Sequence, residues 1–309
     1  MRIVFLGTPE FTLPLLETCA RVGDLAAVVA QPDRPAGRSG KPQPPAAKRW
    51  AVERGIAVEQ PDKVKNGRLA AVLARYSPDV AVVAAYGRIL PADALALPRH
   101  GCLNVHASLL PELRGAAPAQ WAVARGYART GVTLMQMDEG LDTGDILLQR
   151  ACAIDDDETG ESLLRKLAPL GAEALEEALR RLERGELVGT PQDHARATLA
   201  PMLTREDGRA DFTRTARELD QRRRGFTPWP GAWTTAGGEV LKIHAARPLD
   251  SGGRDPGEVI AATPEGIDVS CGSGSIWRLL QVQPAGKTAM PTSAYLAGHP
   301  LRPGDRLGG

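Results

Sequence analysis

Residues 80–87 read Val80-Ala81-Val82-Val83-Ala84-Ala85-Tyr86-Gly87. Five successive small or β-branched apolar residues, with no polar alternation, describe a short strand covered on both faces. Ala85-Tyr86-Gly87 closes it as a turn. Outward from this strand the same texture repeats. Residues 3–6 and 26–30 read as strands, and 103–105 and 132–135 as two more. Residues 13–21, 46–54 and 66–76 carry helical apolar spacing between them. Buried strands alternating with helices predict an α/β fold with a Rossmann-like, mainly parallel sheet. Residues 146–154 add an antiparallel edge. The first turn, Gly7-Thr8-Pro9-Glu10-Phe11, is not a dinucleotide fingerprint. It lacks Gly-x-Gly-x-x-Gly, and Pro9 removes a backbone N–H that a pyrophosphate would need. A nicotinamide cofactor is therefore not expected.

Further along the texture changes. Residues 159–186 read as one long helix or two joined ones, with Pro169 and Gly171 marking the break. Residues 189–203 show no periodicity and read as a linker. Beyond them, short β-like runs at 238–244, 257–261, 266–270 and 275–282 are separated by Gly, Pro and Asp, and one helix is expected at 213–222. That pattern predicts a small β-barrel. The chain thus divides into 1–188, a linker 189–203, and 204–309.

Composition bounds the function class. Of the 309 residues, 43% are apolar and the net charge is +1, so overall charge selects neither a nucleic acid nor an acidic partner. The run Arg222-Arg223-Arg224, with Arg214 and Arg217 before it, is a local basic feature. It reads equally as a nucleic-acid contact or a solvated helix face. The four cysteines have no Cys-x-x-Cys spacing, so neither a metal site nor a disulfide framework is expected. No run of twenty apolar residues and no signal-like leader are seen, which predicts a cytoplasmic protein with no membrane partner.

The chemistry concentrates in two stretches. The first is Gly101-Cys-Leu-Asn104-Val-His106-Ala-Ser108-Leu-Leu-Pro111-Glu-Leu-Arg114-Gly115-Ala-Ala-Pro118. On a strand, Asn104 and His106 point to one face. An amide and an imidazole so placed can both donate to one developing oxyanion. The second is Gly131-Val-Thr-Leu-Met-Gln-Met137, a strand running into Asp138-Glu139-Gly140-Leu141-Asp142-Thr143-Gly144-Asp145. A Gly-hinged acidic loop after a buried strand is a common place for a catalytic carboxylate. If Asp142 reaches His106, the three form an Asn/His/Asp constellation for oxyanion and proton management, with no protein nucleophile. The plain readings are a structural Asn, a satisfied core His, and an acid bracing its own loop.

These stretches resemble the folate-dependent formyltransferases, and the likeness runs almost end to end. Gly7–Phe11, Gln31-Pro-Asp-Arg34-Pro-Ala-Gly-Arg38 and Ala85-Tyr-Gly-Arg-Ile-Leu-Pro91 match that family's opening turn, basic loop and folate-pocket wall. Phe226-Thr-Pro-Trp-Pro-Gly-Ala-Trp233 and Gln283-Pro-Ala-Gly-Lys-Thr-Ala-Met290 are similar to the second domain of the branch that acts on a charged tRNA. The resemblance implies a one-carbon transferase moving a formyl group from 10-formyltetrahydrofolate to the α-amine of methionyl initiator tRNA. It implies no metal and no obligate protein partner. Asn104, His106 and Asp142 would be catalytic. Tyr86, Gly87, Arg88, Ile89, Leu90, Ser108, Leu109, Leu110, Pro111, Asp138, Glu139, Gly140 and Leu141 would form the folate pocket, with Ile89 and Leu90 equally readable as core. Arg34, Arg38, Lys41, Arg205, Arg222, Arg223, Arg224 and Lys287 would meet the tRNA, and residues 204–309 would be an OB-like tRNA-binding barrel. Met202 and Thr288 stand where the family usually has lysines, and Arg205 keeps a charge where it has another. A formyltransferase for a small amine, a formyltetrahydrofolate hydrolase and a non-catalytic RNA-binding protein are the alternatives.

Overall fold

A computed structural model describes residues 1–35 and 40–308. The chain separates into two compact units. The first holds residues 1–118, 129–153 and 164–201, and the second holds 119–128, 154–163 and 202–309.

In the first unit, strands β1 (Arg2–Gly7), β2 (Asp24–Val29), β3 (Arg34–Pro35), β4 (Pro42–Gln43), β5 (Ala57–Glu59), β6 (Val80–Ala84), β7 (Cys102–His106), β8 (Arg129–Gln136) and β9 (Ile146–Ala153) follow in chain order. Helices α1 (Leu13–Val22), α2 (Ala46–Glu53), α3 (Arg68–Ala74) and α4 (Ala92–Leu95) connect them. Seven strands form one sheet in the order β5-β2-β1-β6-β7-β8-β9, while β3 and β4 pair as a separate hairpin. β5, β2, β1, β6 and β7 are parallel. β8 and β9 are antiparallel to their neighbours. The valine run behaves as its composition demands: all five β6 residues are buried, as are Ile3 to Leu6 of β1. After β1 the chain builds outward through β2 and β5, then returns to add β6 on the other side. The turns after β1 and β6 therefore lie together at the crossover, where open α/β sheets hold ligands. Gln31 ties this crossover by donating to the Tyr86 carbonyl at 3.0 Å.

The antiparallel register of β8 differs from a simple parallel reading and matters for the site. It sets Gln136 opposite Leu103 and Thr133 opposite His106. The loop after β8 thus leaves the sheet beside the first residues of β7 and has to fold back to reach His106.

Helices α5 (Pro118–Ala124) and α6 (Gly160–Glu183) complete this half of the chain. The break expected at Pro169 is absent, and α6 runs through it. Leu163, Leu167, Leu175, Ala178 and Leu179 are buried at helical spacing. Burial along that stripe outweighs the one hydrogen bond that a proline removes. At Gly171 an added Cβ would press on Val105 and Leu15. The glycine is there for close packing on the sheet and does not end the helix.

The second unit contains α7 (Ala216–Gly225), β10 (Ala232–Ala236), β11 (Glu239–Leu249), β12 (Val259–Thr263), β13 (Gly266–Ser270), β14 (Ile276–Pro284), β15 (Met290–Pro291) and α8 (Thr292–Gly298). Its sheet is antiparallel, in the order β10-β11-β14-β13-β12, with β15 against β14. Residues 304–308 bridge the two edges. Leu307 pairs with Ala236 of β10, and Arg306 pairs with Glu258 beside β12. Trp277, Leu279, Val269 and Ile267 fill the interior. Thr215 caps α7 in a capping box with Glu218.

Candidate active site

The pleat of β7 places Asn104 and His106 on one face, and the loop of residues 137–145 brings Asp142 to both. Asn104 Nδ2 lies 3.4 Å from Asp142 Oδ1. His106 Nδ1 lies 3.7 Å from Asp142 Oδ2, with the histidine 6% and the aspartate 15% exposed. The other ring nitrogen, Nε2, is 2.9 Å from the Leu113 carbonyl oxygen. A carbonyl only accepts, so Nε2 carries a proton and donates. Nδ1 is then the nitrogen available to carboxylate and substrate.

Asp142 is held from several sides. The Gly115 N–H donates to its Oδ2 at 2.8 Å. Its φ is +52°, a left-handed conformation that Asp tolerates better than most residues. Gly144 closes the loop, because a Cβ there would sit on the Gln136 carbonyl oxygen. Gln192 donates to the carbonyls of Asp142 and Gly144 at 2.9 and 2.7 Å. The 189–203 stretch, expected as a linker, therefore hydrogen-bonds into the first unit. Thr190 also exchanges two backbone bonds with Ile146. Neither Gln192 nor Thr198, which accepts from the Leu113 N–H at 2.9 Å, stood out in the sequence, because an aperiodic segment gives no pattern to read.

The expected folate-pocket residues divide by exposure. Tyr86, Leu90, Ser108 and Leu110 are buried, at 3% exposed or less, and Pro111 is also buried. Tyr86 and Leu90 belong to the core cluster with Val4, Leu6 and Val83. Burial pushes the Tyr86 hydroxyl pKa up. Ser108 donates to the Glu112 carbonyl at 2.6 Å. Leu110 N–H and the Ser108 carbonyl both engage Thr133 Oγ1. All five are buried within the first unit. Arg88 turns its guanidinium to Gln31 Oε1 and the Asp62 carbonyl. Gly87, Ile89, Glu139, Gly140 and Leu141 are exposed, and Leu109 is half-buried. Asp138 accepts from the Gly140 N–H and the Thr143 hydroxyl, which fixes the loop.

Of the expected tRNA contacts, Arg34, Lys41, Arg205 and Lys287 are exposed, and Arg38 lies outside the described residues. The arginine run is engaged by the protein's own groups. Arg223 and Arg224 both bind Asp220, and their side chains are only 15% and 16% exposed. They also donate to the His244 and Glu158 carbonyls. Arg222 packs over Phe226 and Trp121, donates to the Asp207 carbonyl, and has its pKa lowered chiefly by burial. Cation–π contact and i, i+3/i+4 pairing have turned this basic run inward.

Among the described residues, no group of three or more His, Cys, Asp or Glu could hold a metal ion. No helix among them is long and apolar enough to cross a membrane.

Known proteins place this architecture. The Formyl transferase family matches residues 1–179, and the Formyl transferase, C-terminal domain family matches residues 202–300. The chain is 52% identical over 305 residues to a methionyl-tRNA formyltransferase of Myxococcus xanthus, covering 99% of this chain and 97% of that one. It is 56% identical to one of Anaeromyxobacter dehalogenans, covering 94% of each. The chain belongs to the methionyl-tRNA formyltransferase family. Solved structures show the same fold at lower identity. WlaRD, a sugar 3N-formyl transferase, superposes with a TM-score of 0.67 at 15% identity, over 93% of this chain and 99% of that one. HypX from Aquifex aeolicus, solved with tetrahydrofolic acid, gives 0.62 at 21% identity, over 96% of this chain and 47% of that one.

Proposed function

We propose that the chain transfers the formyl group of 10-formyltetrahydrofolate to the free α-amine of methionyl initiator tRNA, and that Asn104, His106 and Asp142 carry the step. The observation behind the residue roles is the convergence of one amide, one imidazole and one carboxylate on a single strand face, with Nε2 of His106 already committed to a carbonyl. The neutral amine attacks the formyl carbon, and the carbonyl oxygen gains charge. Asn104 Nδ2 and His106 Nδ1–H donate to that oxygen. Each such donor lowers the barrier by about 3–4 kcal/mol. As the bond to N10 breaks, the amine gives up a proton and N10 gains one. Asp142 takes the first proton and passes it on, directly or through a water. Nδ1 can donate only when the ring is protonated. The carboxylate beside it therefore serves two ends: it faces Nδ1 and it moves the proton.

The folate binds at the carboxyl ends of β1, β6 and β7. Tyr86, Gly87, Arg88, Ile89 and Leu90 and the turn Ser108, Leu109, Leu110 and Pro111 wall its site, with the main chain of residues 138–141 available to the pterin edge. Residues 1–188 form the transferase domain, and residues 204–309 the tRNA-binding domain. Arg34, Arg38 and Lys41 of the transferase domain and Arg205 and Lys287 of the tRNA-binding domain supply phosphate contacts. The protein acts in the cytoplasm.

The test is a side-by-side transfer assay with charged initiator tRNA, charged elongator tRNA and free small amines. Strong preference for the initiator is expected. Equal or better use of a small amine would overturn the assignment of the acceptor.

A further inference from the structure

Asp142 is a non-glycine residue at φ +52°, and Leu113, whose carbonyl holds His106, is another at φ +61°. Two catalytic positions thus depend on left-handed backbone, which needs outside support. Both supports come from residues 189–201. Gln192, 6% exposed, spends its whole carboxamide on this task. Its Nε2 donates to the carbonyls of Asp142 and Gly144 on either side of Thr143. Its Oε1 accepts from Arg114 Nε and Nη2 at 3.2 and 2.6 Å. Arg114, 7% exposed, is the residue before Gly115, whose N–H holds the Asp142 carboxylate. The path from Gly115 through the Asp142 side chain and backbone, Gln192 and Arg114 closes on itself. It fixes the carboxylate from both ends. Thr198 plays the same part for His106. Its Oγ1 accepts the Leu113 N–H at 2.9 Å, and the Leu113 carbonyl accepts from Nε2 at 2.9 Å.

From this we infer that Gln192 and Thr198 are positioning residues for the transfer step, Gln192 acting through Asp142 and Thr198 through His106. The inference rests on the catalytic roles proposed above. Both side chains spend these hydrogen bonds on protein groups that hold Asp142 and His106, so loss of either lowers kcat and leaves both KM values in place. A misplacement of about 1 Å at a reacting group can lower a rate roughly a hundredfold.

Gln192→Glu keeps an oxygen for Arg114 but removes both donors. We expect kcat to fall about 30-fold, with the KM for folate within about twofold. In an Asp142→Asn background the same substitution changes kcat by less than about threefold, because the group it positions is already lost. Thr198→Val lowers kcat and Thr198→Ser restores it. An unaltered kcat in Gln192→Glu overturns the inference. So does a full, additive loss in the Asp142→Asn background, which is also what mere unfolding would give. If Asp142→Asn itself keeps normal turnover, the catalytic reading fails first. If Asp142→Asn is crippled while Gln192→Glu and Thr198→Val are normal, only the positioning roles fail.

Discussion

Asp142→Asn isolates the carboxylate's charge from its shape. Asn tolerates the +52° φ as well as Asp does, so the loop backbone keeps its path. The charge is what goes. The carboxylate lies 3.7 Å from His106 Nδ1, and the substitution takes the anionic acceptor away from that nitrogen. The new amide also frustrates one of two bonds. Either its NH2 faces the Gly115 N–H, which now donates to Oδ2 at 2.8 Å, or it faces Asn104 Nδ2, which now approaches Oδ1 at 3.4 Å. Donor against donor displaces the Asn104 amide or the loop by tenths of an ångström. The two effects overlap, because both degrade the same oxyanion donors. The net loss is about 3–4 kcal/mol of barrier, or roughly a 10²–10³-fold fall in kcat. Stability changes by about 1 kcal/mol, a shift of about 2–4 °C in the unfolding midpoint. The assay is single-turnover formylation of charged initiator tRNA at saturating folate, with tetrahydrofolate binding measured separately. Turnover within threefold of the parent protein, with folate bound normally, would refute the role given to the charge.

Gly144→Ala puts a methyl on the Gln136 carbonyl. It should cost activity by opening the loop and destabilise by about 1–3 kcal/mol, read by denaturant unfolding. Asp220→Ala removes the shared partner of Arg223 and Arg224. It should destabilise by about 2 kcal/mol without raising the KM for tRNA, whereas Arg205→Ala should raise that KM and leave the unfolding midpoint in place. Glu176 accepts from Arg21 and Arg180, and those bonds depress its pKa from 4.5 to about 2. A depressed carboxylate stabilises fully above pH 4.5, and that contribution is lost as pH falls toward 2. Glu176→Gln should therefore lower stability above about pH 4.5, neutrality included, and converge with the parent protein as pH falls toward 2, so its profile is flatter across that window.

What the sequence made legible follows its periodicities. The unbroken apolar runs at 3–6 and 80–84 could only be strands covered on both faces, and they form the centre of the sheet. The two-residue spacing of Asn104 and His106 put both on one face without any tertiary knowledge. The failures share a cause too: each needed knowledge of what lies opposite. The direction of β8 is invisible in its own residues, and only pairing with β7 shows that its loop must double back. Arg222-Arg223-Arg224 reads as an open basic face until Asp220, Phe226 and Trp121 are seen against it. The 189–203 stretch is the sharpest case. It has no period because it forms neither helix nor strand of any length. Instead, one side chain after another satisfies backbone groups that two left-handed residues leave exposed. Gln192 and Thr198 are ordinary polar residues in an irregular segment. Their place beneath the site follows from the backbone groups of Asp142, Gly144 and Leu113, which must be satisfied for Asp142 and His106 to hold their positions.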